Sequence, residues 1–257
     1  MFFPPGFDKV IATEAASLVL QAYAQYSAFK VSQAWALQGN YQNLGMLEAR
    51  PDDLSLKGEP FGFVALNIAT GNVFVTFRGT ESIFDWMADL SIAQVPHAWG
   101  KVAKGFEFVY QQCSGSVTTA VARAPGAKVF VTGHSLGAAL AVLASADLAN
   151  AAGITPQLYS FANPRTGDPD FAAKFNQNVP VHWRIANTED IVTTVWLATG
   201  RIDAAGSTEH SAVGIVLERI SGLEFQHVGD AVPFTVQRGS IVQNHDMAMY
   251  RDTISAA

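Results

Sequence analysis

The chain has 257 residues, 49% of them apolar and only 15% charged, enough for a sizeable core and far from a disordered composition. Its formal net charge of −6 argues against nucleic acid, which is held by basic surfaces, and leaves no polybasic patch for anionic lipid. A single cysteine, Cys113, allows no internal disulfide and reads as a small buried side chain. The six histidines show no metal-ligand spacing, so neither a metal nor another cofactor is expected.

Residues 1–7 lack a positively charged start and contain Pro4 and Pro5, so no secretory leader is read there. The expectation is a cytoplasmic protein, or a secreted one whose leader is not in these residues. The most apolar run, 136–149, carries Asp147 and is too short to span a bilayer, so no transmembrane segment is expected. Without repeats or linker-like composition, one domain over 1–257 is expected.

Along the chain, apolar residues at helical spacing over 8–30 (Val10, Ile11, Leu18, Ala22, Phe29) follow Asp8, a good N-cap. Residues 33–58 read as irregular. Two strand-like runs, 61–68 and 72–77, meet at a hairpin-like Ala69-Thr70-Gly71-Asn72. A short amphipathic piece, 81–90, precedes a helix over 105–123. Next come a β-branched run at 128–132 and an alanine-rich helix over 136–152. Strands are expected at 158–162 and 181–186, a last pair at 225–228 and 231–236, and a helix over 246–254. Strands alternating with helices predict an α/β fold, a mostly parallel central sheet with helices on both faces.

The segment Val129-Phe130-Val131-Thr132-Gly133-His134-Ser135-Leu136-Gly137 runs a strand into G-x-S-x-G and then a helix. That order suits a nucleophile, because a sharp strained turn lifts the Ser135 hydroxyl above the sheet. The helix opening at Leu136 offers unpaired N–H groups to developing negative charge. A base must lie downstream, which leaves His182, His210, His227 and His245. His182 sits inside a strand-like run, and His210 falls in a segment without a clear reading. His245 precedes the last helix as an approaching imidazole should, with His227 as its rival. For the acid, Asp190 lies past a strand end, where ligand chemistry gathers in open α/β sheets. Glu189 is its neighbouring alternative, and Asp168 reads as a turn or helix-cap residue.

Several stretches resemble class 3 (fungal-type) lipases. Gly133-His134-Ser135-Leu136-Gly137-Ala138-Ala139-Leu140-Ala141 looks like their nucleophile elbow. Phe77-Arg78-Gly79-Thr80-Glu81-Ser82 and Asp85-Trp86-Met87-Ala88-Asp89-Leu90 resemble the oxyanion loop and lid. Phe161-Ala162-Asn163-Pro164-Arg165-Thr166-Gly167-Asp168 resembles the P-R-x-G segment, and Asn187-Thr188-Glu189-Asp190-Ile191-Val192 the N-x-x-D-x-V segment. The likeness runs from about Phe61 to Tyr250. It implies an α/β-hydrolase fold, catalytic Ser135, Asp190 and His245, and an oxyanion hole from Thr80 and Leu136. The Thr80 hydroxyl has a plainer alternative, a bond to its own backbone.

The resemblance also implies a lid near 81–92 presenting Ile83, Phe84, Trp86, Met87 and Leu90. On a helix, Ile83, Trp86, Met87 and Leu90 share one apolar face, which fits a mobile lid or a surface helix packed on the core. The implied partner is a lipid or other hydrophobic ester, met with transient contact at a lipid interface. Triacylglycerol hydrolysis leads. Small-ester, feruloyl or phospholipid hydrolysis and an inactive lipid-binding relative are the alternatives. The sequence departs from the family pattern at Ala103, where histidine is usual, at Thr193, where proline is common, and in an apparent insertion near 195–223.

Overall fold

The computed structural model describes residues 3–52, 54–80, 93–193 and 223–257. Its strands, in chain order, are β1 (Tyr41–Ala49), β2 (Glu59–Asn67), β3 (Val73–Phe77), β4 (Gln94–His97), β5 (Gly100–Ala103), β6 (Val129–His134), β7 (Gln157–Phe161), β8 (Val181–Asn187) and β9 (Asp230–Phe234). The described helices are α1 (Lys9–Lys30), α2 (Lys104–Val121), α3 (Leu136–Ala151), α4 (Pro169–Asn178), α5 (Ile241–Asn244) and α6 (Met247–Ala256).

Seven strands make one sheet in the order β1-β2-β3-β6-β7-β8-β9. The β1/β2 and β2/β3 pairs are antiparallel, and every pair from β3 to β9 is parallel. The β4–β5 hairpin stands apart. Parallel strands need crossovers: the crossover helices α2, α3 and α4 cover one sheet face, and α1 and α6 cover the other. Val73, Val75, Val129 and Val131 join a core with Val109, Cys113, Leu140 and Leu143 of α2 and α3. Their alternates Phe74 and Phe130 stack at 5.1 Å in the opposite core, with Ala15, Leu18 and Val19 of α1 and Tyr250 and Ile254 of α6. Each Val, Leu, Ile or Phe among them contributes on the order of 1.5–3 kcal/mol by leaving water.

Asp8 caps α1, its carboxylate accepting from the Val10 and Ile11 N–H groups at 2.9 and 3.1 Å. The hairpin after β2 closes as its residues suggest: Asn67 Oδ1 accepts from Ala69 N–H, and Gly71 takes φ +72°. Cys113 is buried, which pushes its thiol up to about 12.

Two expectations are corrected. Residues 33–58 are not irregular throughout, because β1 pairs along β2 at the sheet edge. Its register shifts at Asn43/Gly45 and Leu47/Glu48, and only Leu44, Leu47 and Ala49 are buried, which erases the alternation that would announce a strand. Conversely, 225–228 is not a strand. Gln226 forms an isolated bridge to Gly167, while Phe225 and Val228 are apolar because they pack on the core. The β4–β5 hairpin and α4 have no counterpart in the sequence reading. Asp168, read as a turn or cap residue, caps α4 by accepting from Phe171 N–H at 2.8 Å. The lid residues 81–92 and residues 195–222 of the expected insertion lie outside the described residues. No described helix is long and apolar enough to cross a membrane.

Candidate active site

Ser135 stands between β6 and α3 with φ +58° and ψ −126°, a conformation costing a non-glycine residue on the order of 1–3 kcal/mol. The flanking glycines make that turn possible. A Cβ on Gly133 would fall 2.1 Å from the Gly137 carbonyl oxygen, and one on Gly137 would fall 2.3 Å from that of Arg78. Backbone bonds tie the elbow down: Ser135 N–H donates to the Phe161 carbonyl at 3.1 Å, and Ala138 N–H to the Ser135 carbonyl at 2.9 Å. Ser135 is 1% exposed, and its hydroxyl makes no hydrogen bond among the described residues.

Asp190 and His245 are brought together. Asp190, at the turn beyond β8, is fully buried, and its Oδ2 lies 2.7 Å from His245 Nδ1. The same Oδ2 accepts from the Tyr250 hydroxyl at 2.7 Å, while Oδ1 accepts from Val192 N–H at 3.0 Å. Three donors fix the orientation of this buried carboxylate. An imidazole donating from Nδ1 keeps Nε2 as its acceptor, the tautomer a general base needs. His245 caps α5 immediately before α6, and its ring lies against that of His134, centroids 4.5 Å apart. The imidazole therefore sits beside the residue that precedes the elbow serine.

Around this pair lie residues that sequence reasoning does not single out. Tyr250 accepts from Asn187 N–H at 3.0 Å while donating to Asp190. Burial, and then the Asp190 charge, push its phenol well above the usual range, so it remains a donor. The Asn187 side chain donates to the Val236 and Asn244 carbonyls at 2.8 and 3.1 Å, tying the acid's turn to the segment that carries His245. On the other side, the Tyr23 hydroxyl accepts from Gly79 N–H at 3.0 Å and meets His134 Nδ1 at 2.8 Å. Burial, and then the neighbouring His245, lower the His134 imidazole well below its ordinary titration. Asn187 is the first residue of the N-x-x-D segment and was the one legible signal. Tyr23 and Tyr250 resemble ordinary core aromatics on their helices.

The rival residues lie elsewhere. His227 Nε2 donates to the Thr193 carbonyl at 2.8 Å. Burial, then the Arg184 and Arg165 charges, push its ring down to about 3. His182 Nδ1 bonds the Val179 carbonyl, and its ring packs edge-on to Phe175. Glu189 is exposed beside buried Asp190, and His210 is outside the described residues. Of the proposed oxyanion donors, Leu136 opens α3, and Thr80 follows Gly79, where an added Cβ would be 2.8 Å from Ser135 Cβ. The Thr80 loop is thus packed directly on the elbow. Ile83, Phe84, Trp86, Met87 and Leu90 lie outside the described residues. Among the described residues, no group of three or more His, Cys, Asp or Glu is placed to hold a metal ion.

A mostly parallel sheet with a serine on a strained strand-to-helix turn defines an α/β-hydrolase. Residues 74–199, just under half of the chain, match the family described as lipase (class 3). It is 36% identical to a lipase of Rhizomucor miehei over 140 residues, covering 50% of this chain and 39% of that protein. It is 27% identical over 242 residues to phospholipase A1 EG1, chloroplastic/mitochondrial, of Oryza sativa subsp. indica, covering 78% and 53%. The chain thus spans about two fifths to half the length of these curated relatives. The solved structure of the Rhizomucor miehei lipase propeptide complex shares the fold, with TM-score 0.64 at 23% identity, covering 89% of this chain and 69% of that one.

Proposed function

We propose that this chain is a serine carboxylic ester hydrolase, a triacylglycerol lipase that forms an acyl-enzyme on Ser135. The observation that carries the reading is the desolvated Asp190–His245 pair at 2.7 Å, its imidazole lying against His134 at the strained elbow. The Ser135 hydroxyl, without a hydrogen bond among the described residues, is compatible with it, because the nucleophile–base bond is often long at rest and tightens with substrate. The family and the relatives named as lipases support the substrate class.

In the first step Ser135 Oγ attacks the ester carbonyl carbon as His245 Nε2 takes its proton. The carbonyl π pair moves to oxygen, and that oxyanion accepts N–H bonds from Thr80 and Leu136. Collapse of the adduct breaks the bond to the alkoxy oxygen, which leaves as an alcohol with the proton from His245. Water, deprotonated by the same nitrogen, then releases the acid and restores Ser135. Asp190 keeps the tautomer and offsets the imidazolium charge throughout. One domain with a lid over 81–92 and an insertion near 195–223 completes the reading, the lid's apolar face meeting lipid when it opens.

A fluorophosphonate probe should label the wild-type chain at Ser135, with labelling abolished in Ser135→Ala and strongly reduced in His245→Ala. Absence of labelling in the folded wild type points instead to a lipid-binding relative. The rice protein, matched along most of this chain, favours phospholipid as the second substrate class. Rates on triacylglycerols, phospholipids and short soluble esters separate the two. The same esters given to Trp86→Ser test the lid, whose loss should alter emulsified and soluble substrates unequally.

A further inference from the structure

We propose that Arg78, together with Tyr23, is a positioning residue that clamps Gly79 and thereby aims the Thr80 N–H as an oxyanion donor. Arg78 is 1% exposed, and its guanidinium lies between two rings, Cζ 3.6 Å from the Tyr26 centroid and 4.5 Å from that of Phe61. Its fork meets three acceptors: Nε donates to the Pro60 carbonyl at 2.7 Å, Nη1 to the Gly79 carbonyl at 2.7 Å, and Nη2 to Glu59 Oε1 at 2.5 Å. A buried ion pair is a weak device for stability, since apolar side chains of similar volume often serve as well. What a guanidinium adds is a rigid planar set of donors, and one of them holds the peptide linking Gly79 to Thr80.

That peptide is trans, so its C=O and N–H point in opposite directions. Fixing the Gly79 oxygen on Arg78 turns the Thr80 N–H away from the buried cation. On the other flank, Gly79 N–H donates to the Tyr23 hydroxyl at 3.0 Å. Both peptide planes around Gly79 are therefore held, although glycine is the residue with the most backbone freedom. The clamp sits against the elbow, because a Cβ on Gly79 would lie 2.7 Å from the His134 carbonyl oxygen and 2.8 Å from Ser135 Cβ. An oxyanion donor is effective only when oriented before charge develops, and these contacts supply that order.

This inference rests on the ester-hydrolase reading, and its test separates the two. Arg78→Lys, Tyr23→Phe and Glu59→Gln are compared with wild type by melting temperature, kcat and KM on 4-nitrophenyl butyrate, and Ki for a trifluoromethyl ketone, whose adduct on serine carries an oxyanion. Arg78→Lys should lower kcat by about tenfold or more, towards the hundred- to thousand-fold loss of a whole oxyanion donor, while KM stays within about twofold. Ketone affinity should fall in step with kcat/KM. Tyr23→Phe should lower kcat and raise Ki, each by less than Arg78→Lys does. Glu59→Gln, which leaves the Gly79 carbonyl held, should keep both within about twofold of wild type. The clamp is overturned if folded Arg78→Lys keeps wild-type kcat, or if kcat falls without ketone affinity. Should Arg78→Lys not fold, unchanged kcat and Ki in Tyr23→Phe overturn it. A folded wild type that neither hydrolyses the ester nor is labelled at Ser135 overturns the hydrolase reading, and the clamp with it.

Discussion

Asp190 is held at three points, and each has a different chemical purpose. Val192 N–H fixes Oδ1, His245 and Tyr250 share Oδ2, and no part of the carboxylate is left to rotate towards water. Tyr250 also accepts the buried Asn187 N–H, so its hydroxyl serves two groups at once. Tyr250→Phe would strand that N–H and remove one donor from the anion. The expected result is a loss of about 1–3 kcal/mol in urea unfolding, with a fall in kcat/KM on a soluble ester. Full stability in the variant would mean that water or a shifted backbone replaces the hydroxyl.

Among the elements, α1 is the long strut on one sheet face. It buries Ala12, Ala15, Ala16, Leu18, Val19 and Ala22 and brings Tyr23 and Tyr26 to the elbow and its neighbouring loop. Its start is secured by Asp8, so Asp8→Ala should lower stability by about 1 kcal/mol, read as a lower urea midpoint. Activity should be retained, because the buried face keeps α1 docked. Legibility of the elements follows their burial. The β6 and α3 segments are wholly or mostly buried, and their β-branched and alanine-rich runs announce them. β1 is an edge strand with irregular register and mixed polarity, so no period of two is visible in it. The apolar run 225–228 imitates a strand because core packing selects the same residues as a sheet does.

For the whole molecule, buried imidazoles set the behaviour in acid. His227 is pushed down to about 3 from an ordinary 6.5, by burial first and the Arg184 and Arg165 charges second, and His134 is lowered by burial and His245. Below pH 6.5 the unfolded chain takes up these protons while the folded chain does not. The stability contributed by a neutral His227 is therefore complete above pH 6.5 and is lost as pH falls towards about 3. Urea midpoints should drop across that window, and His227→Gln should make the slope shallower. An unchanged slope would remove His227 as a source of acid lability.

By itself the sequence determined the local chemistry: a strand-turn-helix whose glycines permit a serine at positive φ, and a capped first helix. These are legible because each rests on residues a few positions apart, where sterics and capping act directly. Only the tertiary structure decided that Asp190 meets His245 across the β8 and α5 ends, and that Tyr250, Asn187, Tyr23 and Arg78 surround the elbow. A tyrosine on a helix or an arginine after a strand has the same local pattern whether it fills a core or orients a site. The distinction arises when chain folding brings donors and acceptors from distant segments into one desolvated volume, where every polar group must find a partner.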